Sequence, residues 1–352
     1  MRRAPTPSPR PLRTAALGGA LALVLLTGGA GTAGAEVPAP APGQGAKVPA
    51  WSAAAAEAAE FWTPARMASA IPVDGAAASG AASGAASGAA SESAAIPDPT
   101  PTPAATPTPA PGLLGVGRDF GGLPQVGRMY LTRGTRAYFC TASVIASPRR
   151  SLVLTAAHCL GGTTRDARMA FVPRYTKANP QPYGLFPVAR TAGDAANRIW
   201  IDPRYRTQGA DRAAFLDVAF VEVGPRTDGR RVQDVVGADR LLTHAGYAHR
   251  SVRLVGHPGS AARPRYCVNH TAKFTSTDRA IPGSFLRIDC TGYPGGTSGS
   301  PFIAHYDTAT RTGDVVGIIG GYKTGGETPD TSYSPYFGTS VQRLYDQAVA
   351  AR

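Results

Sequence analysis

The chain has 352 residues, with 36 Lys and Arg against 23 Asp and Glu, a formal charge of +13. A field that basic favours acidic substrates, polyanions or anionic cell-wall polymers. Nucleic-acid binding is the sharper alternative, but the arginines are scattered, with no basic helix and no aromatic stacking motif, which makes a soluble basic extracellular protein the simpler account.

Residues 1–35 join a basic head (Arg2, Arg3, Arg10, Arg13) to an apolar run at Leu17–Leu26 and to Ala33-Gly34-Ala35. That order reads as a secretory leader. The apolar run is too short, and too closely flanked by glycine, to span a bilayer. Residues 36–112 are Ala, Gly, Ser, Pro and Thr almost throughout, with repeated Ser-Gly-Ala-Ala between Ser79 and Ala90 and a Pro-Thr run near 97–111. Such a composition cannot bury enough apolar surface to offset chain entropy, so a disordered pro-segment or linker is expected. One island interrupts it, Phe61-Trp62-Thr63-Pro64-Ala65-Arg66-Met67, where Thr63 is placed to cap a short helix opening on Pro64. Inhibitory docking and a merely sticky linker are both open for this island.

Residues 113–352 are left as one folded domain, and they retain the full +13, with 30 basic and 17 acidic side chains. From Val126 onward the pattern is short apolar or alternating runs punctuated by Gly, Pro and Asp: Val126–Leu131, Phe139–Ile145, Leu152–Thr155, Ala170–Val172, Val218–Val223, Ser251–Val255, Phe285–Ile288, Pro301–His305 and Val315–Ile319. Many short strands at modest spacing predict an all-β sandwich or barrel. The seam between two halves is expected at 224–245, which opens on Gly224-Pro225. No helical period is sustained before residue 339. After it, Val341, Leu344, Tyr345, Ala348 and Val349 follow the i, i+3, i+4 rule, with Thr339 and Gln342 spaced as a capping box. All four cysteines (Cys140, Cys159, Cys267, Cys290) fall in this domain, which for an exported chain predicts two disulfides. No Cys-x-x-Cys or His-x-x-x-His spacing supports a zinc site.

Two strings carry the chemistry. Leu154-Thr155-Ala156-Ala157-His158-Cys159 delivers a histidine on a small-residue turn behind an apolar strand. Gly295-Gly296-Thr297-Ser298-Gly299-Ser300-Pro301 delivers a serine in a glycine-rich bend whose N–H groups can face a reacting oxygen. A hydroxyl nucleophile needs a base beside it and donors around the developing oxyanion. Asp217, opening Asp217-Val218-Ala219-Phe220, is the expected carboxylate behind the imidazole; Asp194, Asp202 and Asp211 lie in the same interval. The other histidines (His244, His249, His257, His270, His305) have no comparable context and are expected to be surface or structural.

With these residues in the order His, Asp, Ser, residues 124–347 resemble the chymotrypsin-fold serine proteases, nearest the secreted trypsin-like and glutamyl endopeptidases of bacteria. Similar Trp-Thr-Pro-x-Arg-Met strings stand upstream of the domain in such enzymes. The resemblance implies two six-stranded antiparallel β-barrels with a C-terminal α-helix, and bridges Cys140–Cys159 and, with it, Cys267–Cys290. It implies His158, Asp217 and Ser298 as catalytic residues, and the N–H groups of Gly296 and Ser298 as oxyanion donors. Gly317–Tyr322 resembles the strand that pairs with an extended substrate, which makes Gly320, Gly321 and Tyr322 substrate-binding.

The expected protein is therefore a secreted, monomeric serine endopeptidase made as a precursor. It takes protein or peptide substrates and needs no metal or organic cofactor. The alternatives are a protease-like module that binds acidic or cell-wall polymers without turnover, and an esterase using the same serine. Thr297 stands where trypsin-type enzymes carry an aspartate that pairs with a newly cut N-terminus, so that activation route lacks its carboxylate. The glutamyl branch's pocket histidine aligns with Ile319, and Gly292, Tyr293 and Pro294 stand where a trypsin-type pocket carries its acid. Neither Glu nor Lys/Arg preference is supported, and Tyr293 is placed to narrow the pocket toward small or apolar side chains.

Overall fold

The computed structural model describes residues 50–74, 114–191 and 196–351. The expected leader, the Ser-Gly-Ala-Ala copies, the Pro-Thr run and Asp194 lie outside these residues. The chain enters through α1 (Ala50–Phe61), α2 (Pro64–Ser69) and the two-residue strands β1 (Ile71–Pro72) and β2 (Arg118–Asp119). The first half follows with β3 (Val126–Arg133), β4 (Arg136–Ile145), β5 (Leu152–Thr155), the single turn α3 (Ala157–Leu160), β6 (Met169–Pro173), β7 (Phe186–Pro187), β8 (Ile199–Ile201), α4 (Pro203–Arg212) and β9 (Ala219–Glu222). After α5 (Val232–Val236), the second half runs β10 (Arg240–Leu241), β11 (His249–Gly256), β12 (Arg265–Thr275), β13 (Ser284–Asp289), β14 (Pro301–Asp307), β15 (Thr312–Ile318), β16 (Thr331–Pro335) and α6 (Thr339–Ala350).

Each half is one curled, largely antiparallel sheet. The first has the order β7-β6-β3-β4-β5-β9-β8 with β1 added on β4; the second has β10-β15-β14-β11-β12-β13-β16 with β2 added on β12. Setting aside the two-residue strands β1, β2, β7 and β10, each sheet has six strands, as the resemblance implied. Val144, Leu154, Phe171, Phe220 and their neighbours fill the first half, and Leu254, Leu286, Ile288, Phe302 and Val316 fill the second. The first sheet's last strand ends at Glu222 and, β2 apart, the second sheet's strands begin at Arg240, so the seam falls within the expected 224–245. Both disulfides form, Cys140–Cys159 and Cys267–Cys290.

Several elements differ from expectation. Residues 50–74, expected to be disordered, fold against the first sheet. Ala-rich sequence has low complexity but the highest helix propensity, and Ala50–Phe61 forms α1. The Trp62 and Met67 side chains are fully buried among Tyr130, Phe139, Tyr175 and Leu185, which supplies the burial that the composition average hides. Thr63 caps α2 as expected, its side-chain oxygen accepting from the Arg66 N–H at 3.2 Å. The helix α4 carries no apolar stripe, since only Tyr205 is buried; it is started by Asp202, whose carboxylate accepts from the Arg204 N–H. The strand β12 has no readable apolar alternation, because in Arg265–Thr275 only Cys267 and Thr271 are buried and the polar Asn269, Lys273 and Thr275 share their face. The helix α6 buries Val341, Leu344 and Ala348 as expected, but the capping box does not form. Gly338 is the N-cap, and Gln342 instead donates to Asp346 and accepts from Thr243. Among the described residues, no helix is long and apolar enough to cross a membrane.

Candidate active site

The small-residue turn after β5 lets the chain bend sharply into α3, which places His158 at the rim of the first sheet. Asp217 sits in the bend before β9, a strand hydrogen-bonded to β5, so both residues are carried by neighbouring strands. The Asp217 carboxylate is buried and holds His158 from two sides. Oδ2 lies 2.7 Å from the imidazole Nδ1 and Oδ1 accepts from the His158 main-chain N–H at 2.8 Å. A third donor, the Gly321 N–H at 2.8 Å, fixes Oδ2. Burial opposes ionisation of Asp217, but His158 and these backbone donors outweigh it and hold the carboxyl below its usual range. Of the other aspartates in the interval, Asp202 is used as a helix cap and Asp211 lies on α4. Tyr205 of α4 adds a buried phenol beside Asp217, and burial and that carboxylate keep it protonated.

Ser298 comes from the second half, on the bend before β14. Gly296 and Gly299 have φ of +94° and +83°, values that strain any residue with a Cβ. Space forbids one as well: at Gly296 it would lie 2.8 Å from the Phe139 ring, and at Gly299 2.2 Å from the Thr141 carbonyl. The bend is tied across the seam to Thr141 of β4. The Thr141 N–H donates to the Ser298 carbonyl at 2.9 Å, and its hydroxyl donates to the Gly296 carbonyl at 2.9 Å while accepting from the His257 N–H. Thr297 donates its hydroxyl to the Pro294 carbonyl at 2.7 Å, and Ser300 N–H caps the turn on the Thr297 carbonyl. Neutral hydrogen bonds thus hold the bend at the position where the trypsin-type aspartate is missing.

A carboxylate from outside the expected set joins the three side chains. Asp74, two residues beyond β1, accepts from the Ser298 hydroxyl at Oδ2, 2.7 Å away, and pairs with His158 Nε2 through Oδ1 at 3.1 Å. It also accepts from the Gly296 backbone N–H. Burial would lower the pKa of His158, but Asp217 and Asp74 on its two sides push it up to about 10. Burial would raise that of Asp74; its bonds to His158, Ser298 and Gly296 hold it below the ordinary value instead. Asp74 stands in Ala-rich sequence with no motif around it to mark it. Its one signal is position, directly after Ile71-Pro72-Val73 downstream of the Trp62–Met67 island.

The residues expected to meet the substrate are placed differently from a simple strand. β15 ends at Ile318, the Gly320 N–H donates to the Tyr333 carbonyl and the Gly321 N–H to Asp217. Tyr322 opens a 3-10 turn, with its ring against Phe274, Phe285 and Tyr333. Tyr293 is buried in the second half's core with Ile319, and its hydroxyl donates to the Leu254 carbonyl at 3.0 Å. The remaining histidines are structural or peripheral, as expected. His257 is buried and held neutral, and His305 pairs with Asp314 at the surface. Cys140 and Cys159 lie beside His158, but their sulfurs are joined to each other, which leaves no thiolate for a metal.

Arranged in this way, the site can hold a hydroxyl, an imidazole and a buried carboxylate in series, with a glycine N–H beside the hydroxyl. The model of the trypsin-like peptidase domain matches residues 140–318. Among solved structures, the chain is similar to the protease Anisep from Arthrobacter nicotinovorans, at 22% identity and a TM-score of 0.55 over 67% of this chain and 100% of that one. It is also similar to the thermostable serine protease AL20 from an extremophilic microorganism, at 22% identity and a TM-score of 0.50 over 65% and 98%. At such identities the likeness speaks to the fold. No curated protein sequence matches the chain.

Proposed function

This chain belongs to the trypsin-like peptidase family, serine hydrolases that act on peptide bonds, and we propose that Ser298, His158 and Asp217 perform that hydrolysis as a secreted endopeptidase. The reading is carried by one observation: the Ser298 hydroxyl and His158 Nε2 meet at a single carboxylate, while Asp217 grips the imidazole from behind at 2.7 Å.

With the cleft free, the Ser298 proton passes to His158 Nε2 as Oγ bonds to the scissile carbonyl carbon. The oxygen that gains charge is met by the Gly296 and Ser298 N–H groups, held ready by the positive-φ bend. Collapse breaks the C–N bond, and His158 returns its proton to the leaving amine. Water then attacks the Ser298 ester, again losing a proton to His158, and releases the acid. Asp217 stays ionised throughout and stabilises the imidazolium. The peptide lies along Gly320, Gly321 and Tyr322, where main-chain contacts hold an extended chain. Two disulfides in a basic chain with a leader-like N-terminus support export to an oxidising compartment. The charge of residues 113–352 favours acidic protein or polymer partners.

Ser298→Ala in the secreted protein tests this directly. Labelling by a fluorophosphonate and peptide hydrolysis should both vanish while the thermal melt is retained; undiminished labelling removes Ser298 from the mechanism.

A further inference from the structure

We propose that Asp74 is a built-in latch: its side-chain carboxylate occupies the site of the reacting carbonyl and keeps the uncut chain latent over an already assembled catalytic centre. The inference rests on the hydrolytic reading of Ser298 and His158 given above.

The latch is held at three levels. Far from the site, Trp62 and Met67 anchor the segment by full burial against Tyr130, Phe139 and Tyr175, and the Gln181 amide donates to the Trp62 carbonyl at 3.1 Å. Nearer, β1 joins β4 in parallel, with Ile71 opposite Tyr138 and Pro72 opposite Phe139. Pro72 also abuts the second half, since a Cβ on Gly259 would lie 2.4 Å from its ring, and Val73 is buried in the first half's core. At the centre, the Asp74 carboxylate takes the Ser298 hydroxyl, His158 Nε2 and the Gly296 N–H together.

Two chemical consequences follow from that geometry. The Ser298 hydroxyl has one proton, and it is donated to Asp74, so it is not shared with the imidazole; His158 Nε2 is paired with the same carboxylate. The nucleophile and its base are thereby separated by one anion. The group presented to Ser298 is a carboxylate on a side chain and not a main-chain carbonyl, and a carboxylate anion is too electron-rich to be acylated onto serine. The segment therefore fills the cleft without being consumed, and it places negative charge beside the donor that would meet a transition-state oxyanion.

The same geometry says how the latch opens. The bend at Gly296–Ser298 is already formed, held by Thr141, Thr297 and Ser300 without any new N-terminal ammonium. Activation then needs removal of a group rather than construction of a site. While residues 50–74 are joined to the domain, their docking is intramolecular, with a high effective concentration. A cut anywhere between 75 and 113 makes them a separate peptide that dilution can remove.

The test uses the full-length chain, confirmed uncut by intact mass, as wild type and as Asp74→Ala, Asp74→Asn and Ser298→Ala, each reacted with a fluorophosphonate. Asp74→Ala should label at least about tenfold faster than wild type, the effect of losing one charge-assisted hydrogen bond. Asp74→Asn, which keeps the shape and drops the charge, should show a smaller gain, and it decides the matter if the alanine variant does not fold. Equal rates for wild type and both Asp74 variants, all absent in Ser298→Ala, overturn the latch and leave the hydrolytic reading standing. A lowered melting temperature with no faster labelling assigns Asp74 a purely structural role and also overturns it. No adduct in any folded form, including protein cut between 75 and 113 and separated from residues 50–74, defeats the hydrolytic reading and the latch with it.

Discussion

Asp217 holds His158 twice, through the ring at Nδ1 and through the backbone N–H of the same residue. One carboxylate thereby sets both the rotation of the imidazole and the position of the turn that carries it. Asp217→Asn can keep the shape but presents an N–H to one of the donors it now accepts from. We expect turnover to fall by about 10⁴-fold with folding largely preserved, as when the imidazole is held in the wrong tautomer. Steady-state hydrolysis beside a thermal melt checks this; near-normal turnover would assign the role to another group.

Thr141 is the tie between the two halves of the site. Replacing it with Val keeps the volume but removes the hydroxyl, leaving the Gly296 carbonyl and the His257 N–H without that partner. Each such buried group costs about 1–3 kcal/mol. A lower melting temperature together with a reduced kcat is expected, because the same bonds position Ser298. Unchanged stability would show that the bend does not depend on Thr141.

Trp62 anchors the latch at a distance from the chemistry. Trp62→Ala in a buried site of this kind costs about 3–5 kcal/mol, here taken mainly from docking of residues 50–74. The variant should gain activity in the uncut chain and expose α1 and α2 to added protease, while residues 114–351 remain resistant. Activity that stays at the wild-type level, with residues 50–74 still protected, would show that the aromatic anchor is dispensable.

The latch carries a pH dependence whose sign is fixed by its two partners. His158 is raised to about 10 in the docked form, so its pairing with Asp74 contributes fully below its ordinary value of about 6.5 and is lost as pH rises toward 10. Only the share due to Asp74 is lost, since Asp217 faces the ring in both forms. Asp74 is lowered, so its contribution is present above the ordinary carboxylate value and disappears as pH falls below it. Tyr205, which lines the same cavity together with Arg133 and Arg206, stays neutral. The labelling-rate ratio of Asp74→Ala to wild type should be largest near pH 5–6 and shrink toward pH 10, within about the window these values define. A ratio independent of pH would contradict an ionic latch.

What was legible in the sequence was the chemistry that needs particular residue types at fixed places. His158 and Ser298 announce themselves because the turn before one and the bend around the other require small residues that few other contexts require. Asp217 was marked by the apolar strand it opens, and the core strands by their alternation. The rest was hidden by physical averaging. In Ala50–Phe61, strong helix propensity looked like low complexity. In Arg265–Thr275, the two buried residues Cys267 and Thr271 gave too faint an alternation to read. The tie from the Tyr293 hydroxyl to the Leu254 carbonyl, 39 positions away, has no local pattern to announce it. Asp74 could not be read at all, because its meaning comes from parallel pairing with a strand 67 positions further along the chain.

The most direct measurement of the central claim is rapid-quench mass spectrometry of an activated ester or peptide reacting with protein cut between 75 and 113 and freed of residues 50–74. A transient acyl adduct is expected on the peptide that contains Ser298, absent in Ser298→Ala and slow to form in Asp217→Asn. Product formation with no adduct at Ser298, or an adduct on another residue, would contradict it.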